Sequence, residues 1–147
     1  MKTKFFSSIL IFSIFSNCCL ADSGIVFIIN NDNPTAKISM TEVSDFYYKR
    51  KRNWDDGENV RFIDRTSGPL RDFFLQKYLR KSASDIDLFW IGQKLYKGDS
   101  APLRESSDAT TVQFVSSLKG AIGYISPSTN LNSKNVKIIT IEGAKEE

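Results

Sequence analysis

The sequence predicts an α/β domain, a sheet held between two layers of helix, and three observations carry that expectation. Gly24 to Asn30 (Gly-Ile-Val-Phe-Ile-Ile-Asn) is a continuous β-branched apolar run, the pattern of a strand buried on both faces. Shorter strand-like runs recur at Val60–Ile63, Ala121–Ile125 and Val136–Ile141. Between them lie segments with apolar residues three and four apart, bounded by helix caps and glycine stops. With no internal repeat and no linker, this alternation favours one three-layer αβα domain.

Taken in order, the chain opens Met-Lys-Thr-Lys, runs apolar from Phe5 to Phe15 and reaches Cys19-Leu20-Ala21. A basic start, a short apolar stretch and small residues before a cut after Ala21 describe a secretory signal peptide. The run is too short for a stable membrane span. Lipid anchoring at Cys18 or Cys19 ranks second, because Phe15-Ser16-Asn17 is a poor lipoprotein processing site. The expectation is export, to the periplasm or beyond, of residues 22–147. Both cysteines lie in the leader, so the mature chain has no disulfide to form. Losing Lys2 and Lys4 lowers the formal charge of +3 by two, which argues against nucleic acid as a partner.

After the first strand, Asn33-Pro34 enforces a turn. Ser39-Met40-Thr41-Glu42 is a capping box that opens a helix bearing Val43, Phe46 and Tyr47. That helix ends in Lys49-Arg50-Lys51-Arg52, read as a solvated terminus that complements the helix dipole. Asn53-Trp54-Asp55-Asp56-Gly57 is a turn that packs Trp54 on the helix end. A helix is expected from Pro69 to about Arg80, with Leu70, Phe73, Phe74 and Tyr78 on one side. Another opens at Ser82 to Asp85 with Ile86, Phe89, Trp90 and Leu95 as its buried stripe, and Gly98 stops it before Pro102. A last helix, capped by Asp108, carries Val112, Val115 and Leu118 and stops at Gly120. Gly123 permits a close backbone approach within the strand that follows.

The chain contains no histidine. That removes Ser-His and Cys-His nucleophilic pairs, His-dependent zinc sites and the commonest general base. No carboxylate pair stands out in their place, so an enzyme is not expected, nor a metal or other cofactor.

The stretch Asp64-Arg65-Thr66-Ser67-Gly68-Pro69-Leu70-Arg71 is the candidate binding element. A strand leads into a turn, and Pro69 suits the first helical position. A helix start exposes unpaired N–H groups and the positive end of the dipole, a ready anion site with Arg65 and Arg71 beside it. The plain alternative is a βα turn capped by Ser67 with two solvated arginines.

Several pieces together resemble the periplasmic phosphate-binding proteins of ABC transporters, of the type 2 binding-protein fold. They are Asn33-Pro34, Trp54-Asp55-Asp56-Gly57, Arg65-Thr66-Ser67-Gly68 before a Phe-bearing helix, Tyr96-Lys97-Gly98 through Pro102, and Gly120-Ala121-Ile122-Gly123-Tyr124. The likeness covers most of the mature chain and is closest to small, single-domain members. It implies one lobe of such a protein, with phosphate held at the helix start by Arg65 and nearby hydroxyls. In the family an Arg, a Ser and a Thr serve a Gly-Ser-Gly-Thr turn. Here Gly68 takes the first glycine position, but Pro69, Leu70 and Arg71 follow it, so Ser67 or Thr66 has to supply the hydroxyl. The family's N-terminal Gly/Ser/Thr-rich loop, which completes the pocket, has no counterpart.

The function expected is therefore an exported solute-binding protein-like domain that takes phosphate or a related oxyanion. Its site residues are Arg65, Thr66, Ser67, Gly68, Leu70 and Arg71, the last two through backbone N–H groups, with a link to phosphate uptake through transporter subunits. The alternative is a ligand-free interaction module on the same scaffold, its partner another envelope protein or a second copy in a homodimer.

Overall fold

The computed structural model describes residues 24–143, so the expected signal peptide and cut after Ala21 lie outside the described residues. Strands β1 (Val26–Asn30), β2 (Lys37–Ser39), β3 (Arg61–Arg65), β4 (Leu103–Glu105), β5 (Ala121–Ile125) and β6 (Val136–Glu142) form one mixed sheet in the order β2-β6-β1-β5-β3-β4. β3 runs parallel to β4 and β5, and β2 parallel to β6, whereas β1 is antiparallel to both of its neighbours. Helices α1 (Met40–Tyr47), α2 (Pro69–Phe74), α3 (Ala83–Lys97) and α4 (Asp108–Ser117) complete the fold. A π-helical turn, Leu75–Leu79, extends α2 and ends at Arg80 in the left-handed region.

Alternation along the strands sorts the core into two. Phe27, Ile29, Phe62, Ile122 and Tyr124 face α1, α2 and α3. Ile28, Ile63, Ala121 and Ile125 face α4 through Val112 and Val115. The domain is thus a three-layer sandwich, as the strand–helix alternation predicts, and β1 is buried from Phe27 onward because both of its faces are covered.

The close approaches fall at glycines. A Cβ on Gly123 would lie 2.7 Å from the Thr111 methyl, so the absent side chain is what lets α4 settle on β5. A Cβ on Gly120 would lie 1.9 Å from the Asn59 carbonyl oxygen. That carbonyl cannot swing aside, since it belongs to the backbone. The Gly120 oxygen in turn accepts bonds from the Trp54 indole (3.0 Å) and the Arg61 amide (2.9 Å). Trp54 packs on Phe46 of α1 with ring centroids 4.8 Å apart, which seats the turn on the helix end as expected.

Several local expectations are corrected. The short edge strands β2 and β4 were not foreseen, because three residues are too few to show a period. Ser107, not Asp108, caps α4, with its hydroxyl accepting from the Thr110 amide; Asp108 is the first helical residue. Leu95 is 76% exposed and Leu118 42%, so neither belongs to the core. The buried stripe of α3 narrows to Ile86 and Trp90 because only one edge of the helix meets the domain. Phe73 lies outside the main cluster, with the Lys77 ammonium 5.4 Å from its ring centre. The basic run after α1 is not free in water. Arg50 pairs with Asp45, Lys51 with Glu42 and Asp55, and Arg52 with Asp99, while Lys49 donates to the Ser100 carbonyl.

Candidate functional site

The expected site lies where the C-terminal ends of the parallel strands β3, β4 and β5 meet the N-termini of α2 and α4. In open α/β sheets this crevice is the usual ligand position. The turn 66–68 is tied to the end of β4 by the Thr66 amide, which donates to the Glu105 carbonyl at 3.1 Å. Thr66 and Ser67 are exposed. Gly68 caps α2 with φ +98°, a backbone conformation in which a side chain would be strained. No side chain caps this helix, so Ser67 does not fill the role expected of it. The Asp72 amide reaches back to the Gly68 carbonyl at 3.0 Å. The N–H groups of Leu70 and Arg71 precede that first bond of the helix ladder.

The two arginines diverge sharply. Arg71 points inward, its side chain 4% exposed, and its Nε lies 3.3 Å from Oδ2 of Asp64, which is fully buried. Asp64 is the hub of a network. Its Oδ1 accepts from the Tyr124 hydroxyl at 2.5 Å and the Arg65 amide at 2.8 Å. Its Oδ2 also accepts from the Tyr47 hydroxyl at 3.1 Å, and the Arg104 Nε stands 3.7 Å away. Arg104 and Arg71 both lean on Asp87 of α3, at 2.7 and 3.8 Å. Burial, then the Asp64 charge and its hydrogen bonds, push the Tyr47 and Tyr124 hydroxyls well above the usual tyrosine range, so both stay neutral donors.

The Arg65 side chain is 12% exposed, and its Nη1 lies 3.0 Å from Oδ1 of Asp108 at the start of α4. The other oxygen of Asp108 accepts from the Thr129 hydroxyl at 2.6 Å and the Ser126 amide at 3.2 Å. Asp108 therefore joins the start of α4 and the loop after β5 to Arg65.

Thr66, Ser67 and Gly68 form the turn between Arg65 and the start of α2, whereas the guanidinium of Arg71 is buried against Asp64. Asp64 and Asp108 were missed as members of the site. The available signal was position: Asp64 follows the apolar pair Phe62-Ile63 within β3, where a carboxylate cannot stay buried without donors around it. Nothing in the local sequence points to Arg104 or Tyr124, which the sheet brings in from 40 and 60 residues away.

The three-layer fold resembles one lobe of a type 2 periplasmic binding protein, and comparison with solved structures shows the same likeness of fold. The chain is similar to an ABC-type phosphate transport receptor from Vibrio cholerae, at 17% identity and TM-score 0.56, covering 84% of this chain and 48% of that one. It is similar to PstS from Borrelia burgdorferi, at 17% identity and TM-score 0.60, covering 84% and 49%. A putative phosphate ABC transporter substrate-binding protein with bound phosphate from Clostridium perfringens matches at 18% identity and TM-score 0.58, covering 83% and 46%. The chain thus spans about half the length of these structures, and at such identities the likeness is one of fold. No family model and no curated protein matches the sequence. Among the described residues, no helix is long and apolar enough to cross a membrane.

Proposed function

We propose that this chain is an exported binding protein that holds phosphate or a related oxyanion at the turn after β3. The observation that carries this reading is the setting of Arg65. Its guanidinium sits beside the starts of both α2 and α4, at the strand ends, and an internal carboxylate already occupies it. A group poised to pair with Asp108 can pair with an incoming oxyanion instead, in the bidentate geometry that guanidinium favours. Thr66 and Ser67 supply hydroxyls, Gly68 allows close approach, and the Leu70 and Arg71 N–H groups complete the cradle. The Arg71 side chain keeps Asp64 in place beneath. With no histidine in the chain, binding rather than catalysis is the reading supported, and neighbours described as a receptor and substrate-binding proteins fit it. Through them the proposal extends to a place near phosphate uptake. The basic, then apolar, leader supports export with cleavage after Ala21, which N-terminal sequencing of the secreted chain tests.

The test of binding is thermal unfolding with and without millimolar phosphate, with sulfate alongside. A ligand at a hundred times its dissociation constant adds about 2.7 kcal/mol. A phosphate-dependent rise in Tm that disappears in Arg65→Ala supports the reading; a rise that persists in Arg65→Ala refutes it. The second reading, a ligand-free interaction module, is favoured by the internal pairing of both arginines. It predicts no shift with either anion, together with a homodimer in light scattering or an envelope partner, a transporter subunit included, recovered by crosslinking.

A further inference from the structure

A groove of about 600 Å³ runs beside the open edge of the sheet, at the end of β3 opposite the arginine turn. β4 is the terminal strand and pairs only with Ile63, Asp64 and Arg65, so Arg61 and Phe62 extend past its cover. The floor is apolar. Leu103 (49% exposed), Leu118 (42%) and Phe114 (37%) together expose apolar surface along it, a cluster rather than scattered single residues.

The rim has one sign. Lys49, Lys51, Arg52 and Arg61 line the groove, and no carboxylate does. Lys51 and Arg52 are matched by acids outside it, namely Glu42, Asp55 and Asp99. Lys49 has only the Ser100 carbonyl as a hydrogen-bond acceptor, at 2.6 Å. The Arg61 guanidinium makes no hydrogen bond or ion pair among the described residues, whereas its backbone amide donates to the Gly120 carbonyl. Burial holds the Lys49 ammonium below its usual value; Asp99 opposes that, and the charges of Arg52, Arg61 and Lys94 add to it. The groove thus has two cations with no ion pair of their own among the described residues, Asp99 near Lys49 being paired with Arg52, above an apolar floor.

We propose that this groove is a docking site for an acidic, extended peptide segment of a partner protein, one that alternates carboxylates with aliphatic side chains. The carboxylates meet Lys49 and Arg61, and the aliphatic side chains meet Leu103, Phe114 and Leu118. The location at a sheet edge favours a strand over a helix, because a strand places alternate residues on opposite sides with the spacing of the edge itself. Charge complementarity names the partner's sign, and the neighbouring strand edge names its conformation. The inference does not depend on the oxyanion turn, since Arg61 and Leu118 take no part in it.

The experiment is fluorescence anisotropy of the purified chain with a labelled ten-residue peptide alternating Glu with Val. A version with Lys in place of Glu and vesicles of phosphatidylglycerol serve as controls. Binding that weakens with added salt is expected for the Glu peptide alone. Arg61→Glu and Leu118→Asp should each weaken it about tenfold, the equivalent of ~1.4 kcal/mol. Arg61→Lys should restore most of it, and none of the three should move the thermal unfolding curve. Absence of binding, equal binding of the Lys peptide, or indifference to both variants overturns the proposal. So does a result in which the vesicles, or a second copy of the chain, occupy the face in an Arg61-dependent way while the peptide does not.

Discussion

Truncating Arg71 should destabilise the fold far more than truncating Arg65, and the burial of the two ion pairs says why. Arg71 and Asp64 are 4% and 0% exposed, so Arg71→Ala leaves a carboxylate in the interior without its nearest cation. Removing one partner of a buried pair costs about 3–5 kcal/mol. Two tyrosine hydroxyls and the Arg65 amide remain on Asp64, with Arg104 3.7 Å away, which sets the expectation near the lower bound, ~3 kcal/mol. Arg65 pairs at the crevice, where 12% and 22% of the two side chains are still exposed, and Arg65→Ala should cost ~1 kcal/mol. Urea unfolding separates the two. With a slope of about 2 kcal/mol/M, the Arg71 variant shifts its midpoint down by about 1.5 M and the Arg65 variant by about 0.5 M. Asp64→Asn placed in the Arg71→Ala background should recover part of the loss, because it removes the stranded charge; a coupling of about 1–3 kcal/mol is expected. If Arg71→Ala costs no more than Arg65→Ala, or abolishes phosphate binding at unchanged stability, the inward placement of Arg71 is wrong.

Three other perturbations follow from named contacts. Gly120→Ala should destabilise by about 3 kcal/mol, and Gly123→Ala by less, because the first new methyl meets a backbone carbonyl and the second a threonine methyl; calorimetry orders them. Ser39→Ala should cost ~1 kcal/mol by removing the cap of α1, and the matching pH effect runs through Glu42. Lys51 first, and then the Ser39 amide, hold the Glu42 carboxyl below its ordinary 4.5, so its contribution is complete above that value and is lost as pH falls through the lower folded one. An acid titration of stability in Glu42→Gln should therefore be flatter below pH 4.5 than in the parent. At the alkaline end the sign reverses. Tyr47 and Tyr124 are raised above the ordinary 10.0, so the stability they contribute is complete below pH 10.0 and is lost above it; spectrophotometric titration should show both ionising only as the fold opens.

How much of this was legible beforehand depends on the range over which each signal acts. Caps, strand runs and glycine stops are properties of neighbouring residues. The Ser39–Glu42 capping box, the buried β1 and the Pro69 helix start were therefore readable, and with them the three-layer class. The candidate turn was readable too, as a strand, a glycine and a helix start in sequence. What each arginine does there was not. A guanidinium is drawn to whatever carboxylate the fold brings near, and Asp108 and Arg65 are 43 residues apart in the chain. Arg71 reads as a surface residue because arginine is mostly exposed. Only the convergence of Tyr47, Tyr124 and Arg104 on Asp64 makes an interior position for it affordable. The same holds for the basic run after α1: local spacing predicts solvated charges, while packing assigns three of them to acids and sets Lys49 beside Arg61 on an apolar groove. The sequence by itself determined most of the strands and helices, though not the three-residue edge strands β2 and β4, and it singled out one helix start as a candidate anion site. The tertiary structure alone decided which charges meet, because electrostatic pairing follows distance through space, and that distance exists only once the sheet has formed.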